Sequence, residues 1–411
     1  MTDRLVVVGT GIAGVSAAAG ARAAGYEGEI VLLGAEEELP YRRPPVSKEV
    51  VRGDKTADDI RIKKPQWYAD QRVALHVGTR VERIDPEARV VHAVGGEQWE
   101  YTDIVLATGG RPRTIATESP RVHTLREVGD ADALRPVLSP DAHVLVVGAG
   151  LIGSEIAANA RAAGAAATVL ETTDLPMPRV LPPELGRWCS SLHERHGTDL
   201  HTGVRVVGIA DDGDAVVVTA DDGRTFRGTC VVLAIGMEPN VELARDAGAT
   251  VAPPSEGGGI VVDAAGRTDV DGLWAAGDVA RMPNDVLGAD HRVEHWQNAQ
   301  NHGTAVGRAV AGDAPGFHEV PWAWSDQYGH TIQVTGWPQG DHDMVVRGRL
   351  EDDDFTAFFL VDGVVRAAVG VGRPREIRTA RGWIAERACP QAEVLADDGA
   401  DLADALAAVK G

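Results

Sequence analysis

The sequence is poor in cysteine and has no clustered metal ligands. Its 411 residues include only Cys189, Cys230 and Cys389, which form no CxxC or CxxxxC pair. This spacing argues against a redox dithiol and a thiolate metal site, and we expect three isolated buried thiols. The thirteen histidines are scattered, and the nearest to a ligand pair, His193 and His196, lacks a second cluster to complete tetrahedral coordination. We therefore expect no metal.

Positive charge and long apolar runs are also lacking. Lys and Arg total 40 against 61 Asp and Glu, a formal net charge of −21. This charge repels phosphate, so we expect no nucleic acid and no anionic membrane as partner, and an acidic partner must dock on a local basic patch. No apolar stretch reaches the length of a membrane span, and glycines interrupt the apolar start of the chain. These features predict a cytoplasmic protein of two or three domains.

Glycine is abundant, with 48 residues, and one glycine-containing stretch occurs twice. Arg4–Gly25 reads RLVVVGTGIAGVSAAAGARAAG, and His143–Gly164 reads HVLVVGAGLIGSEIAANARAAG. Each copy is an apolar strand, a GxGxxG turn, an alanine-rich helix and a closing glycine, followed by a second apolar strand. This order is the βαβ opening of a dinucleotide-binding domain, so the sequence predicts two such domains.

The two glycine fingerprints carry the chemistry of this repeat. The first glycine permits a tight turn, the second lets the backbone approach a pyrophosphate, and the third lets helix and strand pack closely. A single GxGxxG is a weak signal, but its recurrence between a strand and a helix favours dinucleotide binding over a simple turn. We expect one dinucleotide per copy, bound by Gly9, Gly11 and Gly14 and by Gly148, Gly150 and Gly153.

An acid at the end of the second strand is expected to hold the ribose of each nucleotide. In the second copy this acid is Glu171, and the following segment, 172–178, contains no basic residue for a 2′-phosphate, which favours NADH over NADPH. A solvated strand-end acid is the alternative. In the first copy Gly34 is followed by Ala35, so Glu36 is the candidate, with a solvated run of three glutamates as the alternative.

The rest of the chain is organised around these two copies. Short strands separated by turns occur between Val73 and Thr108, and the same style recurs between Thr198 and Gly236. From about Pro321, strands rich in Trp, Val and Phe alternate with Asp-Gly turns, and a helix from about Thr379 and another near the C-terminus follow. The predicted fold class is α/β, with two Rossmann-like dinucleotide-binding domains and a C-terminal α+β domain.

Seven segments add more specific signals: LPYRRPPVSKEV at 39–50, ATGGRPR at 107–113, GAGLIGSEIA at 148–157, AIGMEPN at 234–240, GLWAAGDVA at 272–280, VEHWQNA at 293–299 and PWAWSDQY at 321–328. In this order they resemble the FAD-dependent, putidaredoxin reductase-like ferredoxin reductases that serve bacterial cytochrome P450 and ring-hydroxylating dioxygenase systems. The resemblance spans nearly the whole chain and implies a glutathione reductase-like fold. It implies an FAD-binding domain at 1–113 and 249–319, an NADH-binding domain at 114–248 and a C-terminal α+β interface domain at 320–411.

The resemblance also implies which residues surround the flavin. Arg43 and Lys48 would sit beside it, with Pro45 against the ring. The ammonium of Lys48 would stabilise the negative charge that reduction places on the ring, whereas a surface lysine after a turn is the alternative. The remaining FAD contacts implied by the matching segments are Ala107, Gly109, Arg111 and Asp278.

For the nicotinamide, the resemblance implies that Glu155 meets Lys48 and the carboxamide, with an exposed helical acid as the alternative. Leu151, Ile152 and Gly236 are further NAD candidates in the matching segments. Trp296 opens a predicted helix whose N-terminus would face the flavin, although a core tryptophan is equally compatible. The family places Trp322 and Trp324 over the flavin near the acceptor, but we assign neither a required role in electron transfer.

These features predict an NADH:ferredoxin oxidoreductase in which Lys48 and Glu155 are catalytic, and FAD passes electrons singly to a [2Fe-2S] ferredoxin. Docking candidates are Arg42, Arg72, Arg292 and the Arg-rich C-terminal domain. Residues 1–188 contain no cysteine, which argues against disulfide reductases and cysteine-dependent NADH oxidases or peroxidases. Rubredoxin reduction and slow NADH oxidation stay open. The acidic charge argues against an interaction flavoprotein that resembles apoptosis-inducing factor and binds DNA, and the oligomeric state is left open.

Overall fold

The computed structural model describes residues 3–314, 316–338 and 340–405. Its helices are α1 (Ile12–Ala23), α2 (Glu49–Arg52), α3 (Pro65–Asp70), α4 (Val128–Leu134), α5 (Leu151–Ala162), α6 (Pro183–Arg195), α7 (Glu242–Asp246), α8 (Trp296–Val310), α9 (Pro374–Glu386) and α10 (Ala392–Ala396). The strands of the first half are β1 (Arg4–Val8), β2 (Glu29–Leu33), β3 (Val73–His76), β4 (Val81–Asp85), β5 (Val90–Ala93), β6 (Gln98–Glu100), β7 (Asp103–Leu106), β8 (Gly110–Pro112), β9 (Val122–His123), β10 (His143–Val147), β11 (Ala166–Leu170) and β12 (Asp199–His201). The later strands are β13 (Val206–Asp212), β14 (Ala215–Ala220), β15 (Thr225–Gly228), β16 (Cys230–Leu233), β17 (Met237–Pro239), β18 (Ile260–Val261), β19 (Leu273–Ala275), β20 (Ala280–Asn284), β21 (Ala289–His291), β22 (Trp322–Gln327), β23 (His330–Gly336), β24 (Asp343–Arg349), β25 (Asp354–Val361) and β26 (Val364–Val371).

The chain packs into two compact units. Unit 1 comprises Met1–Pro45, Lys55–Arg111 and Met237–Glu319. Its central sheet is parallel, with strand order β19-β7-β1-β2-β3. Leu5 and Val7 pack with α1 and α8 on one face, whereas Val6 and Val8 pack into a second core on the other face. Both faces are covered, which explains why β1 is apolar throughout.

Helices α1 and α8 pack against each other at backbone distance in unit 1. A Cβ on Gly303 would lie 2.2 Å from the carbonyl oxygen of Ala13, and one on Gly307 would lie 2.0 Å from that of Ala17. Side chains at these two positions would push the helices apart. The glycines of α8 therefore let the backbones of α1 and α8 approach each other closely.

Unit 2 comprises Val46–Asp54, Pro112–Gly236 and Val320–Gly411. Its first sheet is parallel, with strand order β12-β11-β10-β16-β9. Both units also insert a three-stranded antiparallel sheet before the parallel strand that pairs with the first strand of the βαβ repeat: β4-β5-β6 before β7 in unit 1, and β13-β14-β15 before β16 in unit 2. The repeat seen in the sequence is thus a repeat of topology.

A second sheet of unit 2 is antiparallel, with strand order β22-β23-β26-β25-β24. One face packs against α6, where Trp188 meets Phe355 edge to face at 5.2 Å. Helix α9 also packs on this sheet, with Trp383 next to Phe358. The α+β character predicted from about Pro321 is present in the described part of this region.

Two local predictions were wrong. Helix α9 begins at Pro374 rather than near Thr379, because proline is favoured in the first turn of a helix, where its missing N–H costs nothing. Cys389 is exposed rather than buried, since it lies in the irregular segment after α9. Along the described ranges, no helix combines the length and the apolar character needed to cross a bilayer.

Candidate functional site

The first and third glycines of each fingerprint are required by the protein's own packing. A Cβ on Gly14 would lie 1.9 Å from the carbonyl oxygen of Gly9, and one on Gly153 would lie 1.9 Å from that of Gly148. Gly9 and Gly148 have φ angles of +113° and +101°, in the left-handed region that side chains disfavour. These four glycines therefore form two equivalent tight turns.

The middle glycines, Gly11 and Gly150, have no such explanation within the chain. Their φ angles of −66° and −76° suit any residue, and a Cβ at either position would meet no atom of the described residues within 4 Å. Both residues open a helix whose first turn has no acidic residue and whose N-cap makes no side-chain hydrogen bond. Each glycine turn, together with the uncapped helix N-terminus that follows it, forms an open cradle: the first at Gly9–Gly14 and the second at Gly148–Gly153. Such a cradle fits the phosphates of a dinucleotide.

Glu36 lies at the first cradle rather than in solvent. It lines a cleft with the residues Thr10, Gly11, Glu38, Pro40, Tyr41 and Arg43. The Glu36 carboxylate accepts hydrogen bonds from the Tyr41 hydroxyl and from the Arg43 guanidinium, the latter at 2.5 Å. Its neighbour Glu37 is exposed. The alternative of a solvated charge run therefore does not describe Glu36, whose position suits a ribose contact in unit 1.

The other predicted FAD residues of unit 1 lie at the ends of its strands and helices. Ala107 follows β7, and its carbonyl oxygen is the atom that Gly9 must clear. Gly109 accepts a hydrogen bond from the Asn240 N–H at 3.0 Å. Asp278 is half-buried in the 3₁₀ turn Gly277–Val279 that follows β19.

Three more predicted residues of unit 1 differ in exposure. Trp296 is half-buried in the first turn of α8, which lacks acidic residues and a side-chain cap. Pro45 is half-buried in the 3₁₀ turn Pro44–Ser47. Arg111 is exposed, and its bonds to Glu242 and Glu238 raise the pKa of its guanidinium above the ordinary value.

One docking candidate is wrong. The side chain of Arg292 is only 9% exposed, and its guanidinium binds the Glu294 carboxylate and the carbonyl oxygen of Gly257. It is therefore not accessible to a partner. Arg42 is exposed, and the largely exposed Arg72 forms a surface ion pair with Glu27.

Glu171 is hydrogen-bonded to the backbone of the second cradle. It is 8% exposed, and its carboxylate accepts hydrogen bonds from the Ala149 N–H at 2.7 Å and from the N–H and hydroxyl of Thr173, both at 2.9 Å. The alternative of a solvated acid is therefore excluded. Ala149 lies between Gly148 and Gly150, so Glu171 fixes the backbone of the glycine turn.

Of the other NAD candidates, Leu151 and Ile152 form the first turn of α5, and Gly236 accepts a hydrogen bond from the Arg113 N–H at 2.9 Å.

The structure brings Lys48 and Glu155 together inside unit 2. The Lys48 ammonium donates to Glu155 Oε1 at 2.8 Å, and the two residues are 8% and 2% exposed. The two alternatives, a surface lysine for Lys48 and an exposed helical acid for Glu155, are therefore excluded. A buried ion pair needs additional hydrogen bonds to offset the cost of desolvation. Here the Glu155 carboxylate also accepts from the hydroxyls of Ser47 and Ser325 and from the Asp326 N–H.

Ser47 and Ser325 were not predicted from the sequence. Ser47 directly precedes Lys48, and Ser325 lies in the PWAWSDQY segment. One signal was available for Ser325: the alternation of a strand places Ala323, Ser325 and Gln327 on one face of β22, and that face is buried. Polar residues on a buried strand face require partners.

Trp322 and Trp324 lie on the opposite face of β22 and are half-buried. Their rings stack at 5.0 Å, and the Lys48 ammonium lies 5.8 Å from the ring of Trp324. Trp324 is thus a neighbour of the buried pair, at a distance suited to a cation–π interaction.

The two buried cysteines are not reactive. Burial raises the pKa of Cys189 to about 12 and that of Cys230 to about 11, so neither is a reactive thiolate at neutral pH. Among the described residues no group of His, Cys, Asp and Glu is arranged to hold a metal ion. That the protein needs no metal stays a prediction.

Comparison with known proteins agrees with this geometry. Residues 3–303 match the family model described as pyridine nucleotide-disulphide oxidoreductase, and residues 322–406 match the model described as reductase C-terminal. The anthranilate 1,2-dioxygenase system ferredoxin–NAD(+) reductase component of Burkholderia cepacia is 38% identical over 401 residues, 96% of this chain and 97% of that protein. The benzene 1,2-dioxygenase system ferredoxin–NAD(+) reductase subunit of Pseudomonas putida is 33% identical over 414 residues, 100% and 99% of the two chains.

A solved structure extends the similarity to three dimensions. The crystal structure of a covalent putidaredoxin reductase–putidaredoxin complex matches with a TM-score of 0.93 and 34% identity over 100% of this chain and 99% of that chain. The predicted fold class and the predicted resemblance to ferredoxin reductases are confirmed. The chain belongs to the pyridine nucleotide-disulphide oxidoreductase family.

Proposed function

We propose that this chain is an FAD-dependent NADH:ferredoxin oxidoreductase. The observation that carries the proposal is the pair of equivalent glycine cradles, one in each unit, whose middle glycines Gly11 and Gly150 are left open by the chain itself. Two dinucleotides account for both openings. The three cysteines, Cys189, Cys230 and Cys389, are free thiols and form no CxxC or CxxxxC pair, so no dithiol receives the electrons and we assign them to an external acceptor.

The residues of unit 1 fit FAD. The turn at Gly9 and Gly11 would hold the pyrophosphate, and Glu36 would hold the adenosine ribose. We assign the remaining contacts to the predicted residues Gly14, Arg43, Pro45, Ala107, Gly109, Arg111, Asp278 and Trp296. When bound, FAD supplies a carrier that takes two electrons from NADH as a hydride and releases them singly. The uncapped start of α8 would place partial positive charge next to the group that gains electrons.

The residues of unit 2 fit NADH. The turn at Gly148 and Gly150 would hold the pyrophosphate, and Glu171 would accept hydrogen bonds from the ribose hydroxyls with its remaining lone pairs. A 2′-phosphate would meet this buried carboxylate, whose hydrogen-bond partners within the described ranges include no cation, and this favours NADH over NADPH. Leu151, Ile152, Gly153 and Gly236 complete the proposed nucleotide contacts.

Lys48 and Glu155 are the proposed catalytic residues. The ammonium of Lys48 would stabilise negative charge as it develops during reduction, and Glu155 would hold that ammonium in place and meet the nicotinamide carboxamide. Both are buried, where electrostatic interactions are stronger than in water. Because the pair is already formed in unit 2, little reorganisation accompanies the reaction.

The proposed acceptor is a [2Fe-2S] ferredoxin that serves a cytochrome P450 or a dioxygenase. The relatives support this choice, since two are named as ferredoxin reductases of dioxygenase systems. We further propose the functional domains 1–113 with 249–319, 114–248 and 320–411, a cytoplasmic location, and no nucleic-acid or membrane partner.

The test is cytochrome c reduction by the purified yellow protein with NADH or NADPH, with and without a [2Fe-2S] ferredoxin. We expect NADH to be preferred and the rate to rise with added ferredoxin. A rate that rises with rubredoxin instead would identify a rubredoxin reductase. A rate that depends on oxygen alone would identify an NADH oxidase, and either result would refute the proposed acceptor.

A further inference from the structure

Ser325 is a buried residue to which the proposed chemistry assigns no role. It lies on β22, is 0% exposed and shares its strand face with Ala323 and Gln327. A hydroxyl at a position without solvent costs stability unless it is hydrogen-bonded. Its partners therefore indicate why a serine is there.

The Ser325 hydroxyl is oriented toward Glu155. Its oxygen lies 2.7 Å from Glu155 Oε1, and the Gln327 amide nitrogen lies 3.1 Å from the same hydroxyl oxygen. A carboxylate only accepts and an amide NH₂ only donates, so the single proton of Ser325 points to Glu155 and its lone pair faces Gln327. The bonds run in one direction, from Gln327 through Ser325 to Glu155.

These bonds fix the orientation of the Glu155 carboxylate. Oε1 receives the Lys48 ammonium, the Ser325 hydroxyl and the Asp326 N–H at 3.3 Å, whereas Oε2 receives the Ser47 hydroxyl at 2.5 Å. Without Ser325, the shorter of the two uncharged hydrogen bonds to Oε1 is lost, and the orientation of the carboxylate then rests on Ser47, the Asp326 N–H and Lys48 itself. The position of the Lys48 ammonium therefore depends on a residue of the C-terminal antiparallel sheet.

We propose that Ser325 is a positioning residue for hydride transfer, which it promotes by holding Glu155, and through Glu155 the ammonium of Lys48, in one geometry. The inference rests on the proposed function and extends it to residues 322–327. Among the described residues, the side chain of Ser325 hydrogen-bonds Glu155 and Gln327, and neither the glycines of the second cradle nor Glu171. Because the pyrophosphate and the ribose are assigned to the second cradle and Glu171, we expect the loss of Ser325 to slow the reaction more than it weakens nucleotide binding.

The test compares Ser325→Ala with the wild-type holoenzyme in two measurements. Stopped-flow absorbance gives the rate constant for bleaching of the flavin by saturating NADH, and calorimetry gives the Kd of NAD+. We expect the rate constant to fall about tenfold, the effect of one hydrogen bond to a charged group, and the Kd to change by less than about threefold. Gln327→Leu should lower the rate less, because the hydrogen bond from Ser325 to Glu155 remains and only the donor that orients the serine hydroxyl is lost from that chain of bonds.

A matched control is Thr335→Val. Thr335 is 0% exposed on the neighbouring strand β23 and donates to the carbonyl oxygen of Pro321 at 3.2 Å. This change removes a buried hydroxyl from the same sheet without touching Glu155. We expect a lowered urea midpoint of unfolding and an unchanged rate of flavin bleaching.

A double-mutant cycle separates positioning from general destabilisation. In the Glu155→Gln background, Ser325→Ala should cause no further tenfold loss, because residues that act as a unit are not additive. An equal loss in both backgrounds, a wild-type rate in Ser325→Ala, or a Kd that rises as much as the rate falls would each overturn the inference alone. A wild-type flavin that NADH does not bleach would refute the proposed function, and this role with it.

Discussion

Replacing Gly150 by alanine separates nucleotide binding from folding. The φ of −76° at this position accepts alanine, and the new Cβ would meet no described atom of the chain within 4 Å. A lower entropy of the unfolded chain gains about 0.4 to 1 kcal/mol, and the loss of a preferred N-cap glycine costs a comparable amount. We therefore expect the free energy of unfolding without nucleotide to change by less than about 1 kcal/mol.

The same methyl group would occupy the space proposed for the pyrophosphate. Overpacking a filled site costs about 1 to 3 kcal/mol, which corresponds to roughly a 5- to 150-fold higher Kd for NAD+. Calorimetry of NAD+ binding and urea unfolding measure the two effects on one preparation. Gly208→Ala is the control, because Gly208 also lies in unit 2 with no neighbour for a Cβ within 4 Å, but away from the cradle.

We expect Gly153→Ala, unlike Gly150→Ala, to affect folding. Its Cβ would lie 1.9 Å from the carbonyl oxygen of Gly148, so it should destabilise the fold itself. If Gly150→Ala binds NAD+ as tightly as the wild type, the open space at Gly150 does not hold a phosphate, and the argument from the cradles is refuted.

Four further predictions address the predicted site residues and the pH dependence. Glu171→Ala should raise the KM for NADH about tenfold and narrow its advantage over NADPH, measured as kcat/KM for each nucleotide. Glu36→Gln should weaken FAD binding about tenfold in fluorescence titration of the apoprotein, whereas the exposed Glu37→Gln should not. Lys48→Met should lower the free energy of unfolding in urea by about 3 kcal/mol, because it leaves the Glu155 charge buried without its cation, and adding Glu155→Gln should recover most of that loss. Burial lowers the pKa of His193 and His302 to about 4. Between pH 6.5 and 4 the unfolded chain therefore binds more protons than the folded chain, and the free energy of unfolding should fall as the pH drops through this window. The fall should be smaller in His302→Gln, which lacks one of the two groups.

The sequence predicted best what depends on neighbouring residues. Gly9, Gly11 and Gly14 act within one turn, so their spacing, and its recurrence 139 residues later, predicted both cradles. The apolar pattern predicts the start of α9 too late, because the first turn is marked by Pro374 and not by apolar residues. Residue type alone predicts a buried Cys389, but its position after the end of α9 leaves it exposed.

The sequence pattern does not predict contacts between residues that are far apart along the chain. The bond between Lys48 and Glu155 joins residues 107 positions apart, and only the family resemblance indicated it. The bond from Ser325 to Glu155 spans 170 positions and was not predicted. No local periodicity specifies which side chains meet across such separations, since that depends on how sheets and helices pack.

The most direct measurement is an anaerobic titration of the purified protein with NADH, followed by absorbance. The account predicts one FAD per chain, bleached completely by one equivalent of NADH. A protein that takes up no flavin, or a bound flavin that stays oxidised with excess NADH, would contradict the central claim that the two cradles hold a donor and an acceptor of the same electrons.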